Sequence, residues 1–206
     1  MIYSLFASIP LLGEILRIFN AYAYRGDERA DRKFAPIWLW LTAFWVQLTI
    51  SLIGAMLCMP ELTNEYLPVA QRLTYHVQIV PGAMATSILP NLLGFGIGIY
   101  ALIFGLHKML LRDLQASYKR SATNDKQPPG SALILNAEMA VPLLVLTLTI
   151  AIGLVQQVVP LLTGLQFVSW FSLWLSLVFT LELILTLFGL GENAILKTLA
   201  DATESK

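Results

Sequence analysis

The sequence predicts an all-α, polytopic membrane fold of four transmembrane helices, with an N-terminal amphipathic helix and both termini in the cytoplasm. Three observations predict it. Of the 206 residues, 57% are hydrophobic and 13% charged, whereas a soluble domain carries about 25% charged residues. Uncharged stretches long enough to span recur along the chain, about 20 apolar residues being needed to cross a hydrocarbon core. The basic residues collect at both ends and between alternate stretches, which an even number of spans fits.

Within residues 1–33, Leu11, Leu12, Ile15, Leu16, Ile18 and Phe19 form an apolar arc at helical spacing, opposed by Glu14, Arg17 and Asn20. Such a helix either lies in the inner membrane interface or packs beneath the bundle as a cytoplasmic helix. A signal peptide is not expected: the basic cluster follows the apolar run, and Glu14 and Arg17 interrupt it. The first span, 37–59, lies in the run between Lys33 and Glu61 that holds no charged residue. The second, 82–106, lies between Arg72 and Lys108, with Pro81 and Pro90 punctuating its entry. Residues 107–137 form a cytoplasmic loop whose 121–130 stretch, SATNDKQPPG, has the composition of a flexible linker.

From Met139 to Leu181 there are 43 residues without a charge, on the order of 65 Å as one helix and so twice a hydrocarbon core. The run must fold back, and Pro160 and Gly164 are its breakers. The third span is therefore 140–162 and the fourth 167–190, followed by a cytoplasmic tail, 191–206. Of thirteen Lys and Arg, only Arg72 falls on the opposite side from the rest, which places both termini inside. Trp38 and Trp40 at the inner end of the first span, and Trp170 and Trp174 at the outer end of the fourth, fit headgroup anchors.

Glu182 needs a partner, because an isolated carboxylate within a span costs about 3 kcal/mol on insertion scales. Counting from the expected inner helix ends puts it on the order of 12 Å deep, with Gln47, Thr147, Thr149 and Thr180 at similar depth. These five residues form an expected inner polar layer in which Glu182 is hydrogen-bonded. Asn91, Gln156 and Gln157 fall about 24 Å from that end and form an expected outer layer in which Asn91 meets the glutamine pair. In the second span, Gly94, Gly98, Ala101 and Gly105 share one face that lets another helix approach closely. The GFG at 94–96 is not expected to be a carbonyl-lined ion filter, since Leu92 and Leu93 stand where such filters carry Thr.

Catalytic and metal-ligating constellations are not expected. HExxH, GxSxG and phosphate-loop motifs are missing; His76 and His107 fall on opposite sides of the membrane, and Cys58 is the single cysteine. No cofactor is implied, and the even balance of 13 basic and 13 acidic residues gives no sign of nucleic-acid binding.

The segment LPNLLGFGIG, residues 89–98, resembles one found in small, uncharacterised bacterial inner-membrane proteins. The resemblance implies a bacterial plasma membrane and carries no activity. The expected function is that of a non-enzymatic membrane protein whose partners are the lipid bilayer and either further copies of itself or another membrane subunit. The alternative is an oligomeric ion channel or small-ion conduit using Glu182.

Overall fold

A computed structural model describes residues 9–104 and 133–204 of the chain. The described residues are helical and contain no strand. In order they form α1 (Leu12–Ala23), a 3-10 turn (Glu28–Asp31), α2 (Ile37–Cys58), the short α3 (Pro60–Asn64), a second 3-10 turn (Val69–Gln71), α4 (Pro81–Phe104), α5 (Leu133–Val158) and α6 (Thr163–Glu204). Among the described residues, four segments are long and apolar enough to cross a membrane: Ile37–Cys58, Pro81–Ile103, Ile134–Val158 and Thr163–Leu196. The chain is thus an all-helical protein with the composition of a multi-pass membrane protein.

The expected spans are recovered with shifted ends. Helix α5 begins seven residues before the expected 140, because Asn136 and Glu138 are accommodated in its first turns. The fold-back lies at 159–162, where Gln166 Nε2 donates to the Pro160 carbonyl at 2.7 Å. Helix α6 then runs 42 residues, about 63 Å at 1.5 Å per residue, and so passes well beyond the expected end at 190. Pro90 and Pro142 sit inside α4 and α5 without ending them. The expected 107–137 loop up to residue 132, with Gly105, His107 and the linker at 121–130, lies outside the described residues.

Two compact units divide the chain, one of Met1–Thr42, Tyr100–Val141 and Thr180–Lys206, the other of Ala43–Ile99 and Pro142–Phe179. In the first, α1 ends in a Schellman motif: the Gly26 N–H donates to the Ala21 carbonyl at 3.1 Å and the Arg25 N–H to the Tyr22 carbonyl at 2.9 Å. Gly26 has φ +76°, and a Cβ there would lie 2.6 Å from the Ile134 backbone nitrogen, so only glycine fits. Asn20, expected on the polar face of α1, is instead fully buried. Its amide nitrogen donates to the Ala30 and Lys33 carbonyls at 2.8 and 2.9 Å, and its oxygen accepts from the Ala35 N–H at 2.7 Å. One side chain thereby ties α1 to the segment leading into α2, satisfying three backbone groups that no regular element serves. Asp27 caps the 3-10 turn by accepting from the Arg29 N–H at 2.9 Å. The Arg29 guanidinium bound to it holds the Asp27 carboxyl below its ordinary value.

In the second unit, Ala55, Ala85, Leu89, Leu146, Trp170 and Leu173 form the buried core. Close approach rests on small residues. A Cβ on Gly82 would lie 2.5 Å from the Gly153 carbonyl oxygen, and one on Gly54 would lie 2.5 Å from the Trp174 ring. Trp174 is therefore seated in the helix packing, its Nε1 donating to Cys58 Sγ at 3.4 Å, and Trp170 is 7% exposed. Neither acts as the expected headgroup anchor, because Gly54 opens a slot for one ring and the core takes the other. Ser169, Ser172 and Ser176 add a small, buried stripe on α6 at spacings of three and four.

Candidate functional site

The candidate site lies in the first unit, around Glu182. Glu182 is half-buried on α6, and its Oε2 accepts a 3.0 Å hydrogen bond from the hydroxyl of Tyr22 on α1. Burial, then the Glu182 charge, pushes the Tyr22 phenol far above its ordinary value, so the hydroxyl stays protonated and acts as a donor. Glu138, half-buried on α5, interacts electrostatically with Glu182 and with Arg25. Arg25 itself follows α1 at φ +51°. Three helices thus bring two carboxyl groups, a phenol and a guanidinium into one electrostatic neighbourhood. In the same unit, Tyr100 on α4 donates to Asn136 Oδ1 on α5 at 2.7 Å.

The inner polar layer is distributed differently from the expectation. Thr149 is buried and donates to the Ser172 carbonyl at 3.1 Å while accepting from Ser176 Oγ at 2.7 Å. Thr147, two residues away and so about 200° around the helix, is exposed and returns its hydroxyl to Leu143 of its own helix at 2.8 Å. Gln47 is buried, and its carbonyl accepts from Ser51 Oγ at 2.6 Å. Thr180 is half-buried. One hydrogen bond of Glu182 lies outside the expected layer, from the Tyr22 hydroxyl. Depth counting missed Tyr22 because it compared only residues inside spans; the signal was available in Tyr22 being the aromatic hydroxyl three residues before the basic cluster's first member, Arg25.

The outer layer is half recovered. Gln156 is buried, its Oε1 accepting from the Gly82 N–H at 3.0 Å, and Gln157 Nε2 donates to the Gly82 carbonyl at 3.2 Å and Thr86 Oγ1 at 3.0 Å. The glutamine pair does meet α4, at Gly82 and not at Asn91, which is exposed. The reason is rotational: Asn91 follows Gly82 by nine residues, about 180° around the helix. The same geometry sorts the glycines. Gly96 and Leu89 are on the Gly82 side and buried, whereas Gly94, Gly98 and Ala101 are turned outward and exposed. A Cβ on Gly94 or Gly98 would meet no atom within 4 Å.

Each unit also has an open cleft. One of about 300 Å³ in the first unit includes Glu14, Arg17, Asp31 and Asn136 in its lining, and Arg17 Nε contacts Asp31 Oδ1 there at 3.2 Å. One of about 240 Å³ in the second unit includes Glu61, His76, Gln156 and Trp170. His76 and Glu61 stand 3.7 Å apart and are both exposed. Among the described residues no three His, Cys, Asp or Glu side chains converge as a metal site would need.

No family model, no curated protein and no solved structure matches the chain.

Proposed function

We propose that the chain is a non-enzymatic integral membrane protein that assembles with further copies of itself or with another membrane subunit through the outward face of α4. The observation that carries this reading is the placement of Gly94, Gly98 and Ala101. They are exposed, and around both glycines a Cβ would find open space. Small residues in a span allow backbones to approach, and lipid tails fill such a groove poorly. Helix α4 is also the span least covered by its own chain: 11% of its most apolar window is buried, against 39% for the α5 span. The glycines that pack this chain internally are others, Gly54, Gly82 and Gly153.

An orientation with both termini inside fits the distribution of Lys and Arg. On that orientation, about 20 residues of α6 counted from Thr163 reach Glu182 at the inner boundary. This is consistent with its hydrogen bond to Tyr22, which precedes the first span. The test of assembly is Gly98→Leu in the full chain, which is expected to reduce the mass of the native complex while leaving membrane insertion intact.

A second reading, a small-ion conduit, is favoured by Glu182, a half-buried carboxyl within the long apolar helix α6 that is hydrogen-bonded to Tyr22. It requires proteoliposomes to leak and Glu182→Gln to change that leak; silent proteoliposomes would exclude it.

A further inference from the structure

We infer that the cleft of the second unit is a lipid site, which holds one phospholipid by an ester carbonyl at Gln156. The inference does not depend on the outward face of α4, and its first support is a buried donor. Gln156 is 1% exposed and lines the cleft. Its Oε1 accepts from the Gly82 N–H at 3.0 Å, while its Nε2 has no hydrogen-bond partner among the described residues and keeps access to the cleft. Gln157, one residue on, places its own Nε2 on the Gly82 and Gly153 carbonyls and on Thr86 Oγ1. A buried amide donor calls for an acceptor, and the cleft is where the Gln156 amide meets one.

The second support is the way the lining changes with depth. Glu61 lies beyond the end of α2 and His76 lies before the start of α4, so both stand outside the spans, exposed and 3.7 Å apart. Gln156 is two residues before the end of α5, about 3 Å inside. Trp170 is seven residues into α6 and 7% exposed, about 10 Å inside. Charged groups, an amide donor and an apolar wall therefore follow one another down one cleft. A phospholipid presents the matching order, with its charged headgroup in the interface, its ester carbonyls at the edge of the hydrocarbon core and its acyl chains below. Ester carbonyls only accept hydrogen bonds, as an amide N–H requires. The Glu61 carboxylate at the mouth suits the ammonium of a zwitterionic headgroup and repels a purely anionic one. A volume of about 240 Å³ takes the glycerol–ester region and leaves the acyl tails in the bilayer.

The experiment is native mass spectrometry of the full chain in detergent with one lipid added at a time. The probes are a diacyl phosphatidylethanolamine, its dialkyl ether analogue, which lacks both carbonyls, and a diacyl phosphatidylglycerol. One diacyl phosphatidylethanolamine per chain is expected to be retained, at about five-fold the occupancy of the ether analogue. Gln156→Met, which keeps the length of the side chain and removes the donor, is expected to abolish that difference. Glu61→Gln, at an exposed position, is expected to narrow the preference for phosphatidylethanolamine over phosphatidylglycerol. Equal retention of ester and ether lipids by the parent chain would overturn the inference, and this comparison holds even where Gln156→Met fails to fold. Retention of no lipid at one per chain would overturn it too, as would an undiminished ester preference in a Gln156→Met chain that melts with the parent.

Discussion

Tyr22 and Glu182, 160 residues apart, are joined by a 3.0 Å hydrogen bond that fastens α1 to α6. The bond gives the N-terminal helix a fixed anchor in its unit, since the phenol is the donor and the carboxyl the acceptor. Tyr22→Phe keeps the ring and removes the hydroxyl, which is expected to cost about 1 kcal/mol. Combined with Glu182→Ala in a double-mutant cycle of thermal unfolding in detergent, the two changes should be sub-additive. Strictly additive losses would show that the pair does not interact.

Asn20→Ala should be among the most damaging single changes outside the spans. It leaves the Ala30 and Lys33 carbonyls and the Ala35 N–H without their partner in a buried setting. Each unsatisfied group costs about 1–3 kcal/mol. Limited proteolysis is the direct check: cleavage between residues 24 and 36 should accelerate in the variant. Unchanged cleavage would mean that the segment is held by other contacts.

Glycine substitutions on α4 should divide by face. Gly82→Ala places a Cβ 2.3 Å from Gln156 Oε1 and 2.5 Å from the Gly153 carbonyl, and overpacking of this kind costs about 1–3 kcal/mol. Gly94→Ala meets nothing within its chain. In a monomeric detergent preparation the first should lower the melting temperature, and the second should hold or raise it, because alanine is the better helix former by about 1 kcal/mol. The opposite order would refute the assignment of faces.

The 3-10 turn at Glu28–Asp31 should depend on pH through Asp27, whose carboxyl is held below its ordinary value of 3.8 by the bonded Arg29 guanidinium. A lowered folded-state value means that the contribution is complete above the ordinary value and is lost as pH falls through the lowered one. Proteolysis at the turn, measured with an acid-active protease, should rise below about pH 4, and Asp27→Asn should show the raised rate already at neutral pH. A variant cut no faster than the parent by a neutral protease at neutral pH would contradict the capping role.

The four spans were legible in the sequence because charge is excluded from hydrocarbon, and the fold-back at 159–162 because Pro160 interrupts a run too long for one crossing. Helix ends were less legible. Nothing in GENAILKTLADATE (191–204) stops a helix, and absence of a stop signal is weaker information than its presence. Site residues fared according to whether one-dimensional depth decides contacts. It found that Gln156 and Gln157 meet α4, but not where, because Asn91 shares their depth and is turned about 180° from Gly82. It also missed Asn20, whose role is set by a loop that doubles back onto α1, and the Ser169, Ser172 and Ser176 stripe, whose small-residue spacing was as readable as that of the glycines.

The central claim is that this chain assembles through the outward face of α4. The measurement that tests it most directly is the mass of the full-length complex in lipid nanodiscs or mild detergent, for the parent chain and for Gly98→Leu. The account predicts a complex larger than one chain for the parent and a shift to the single chain for the variant, with equal membrane insertion. A parent complex of unchanged mass in the variant, or a parent that is a lone chain, would contradict it.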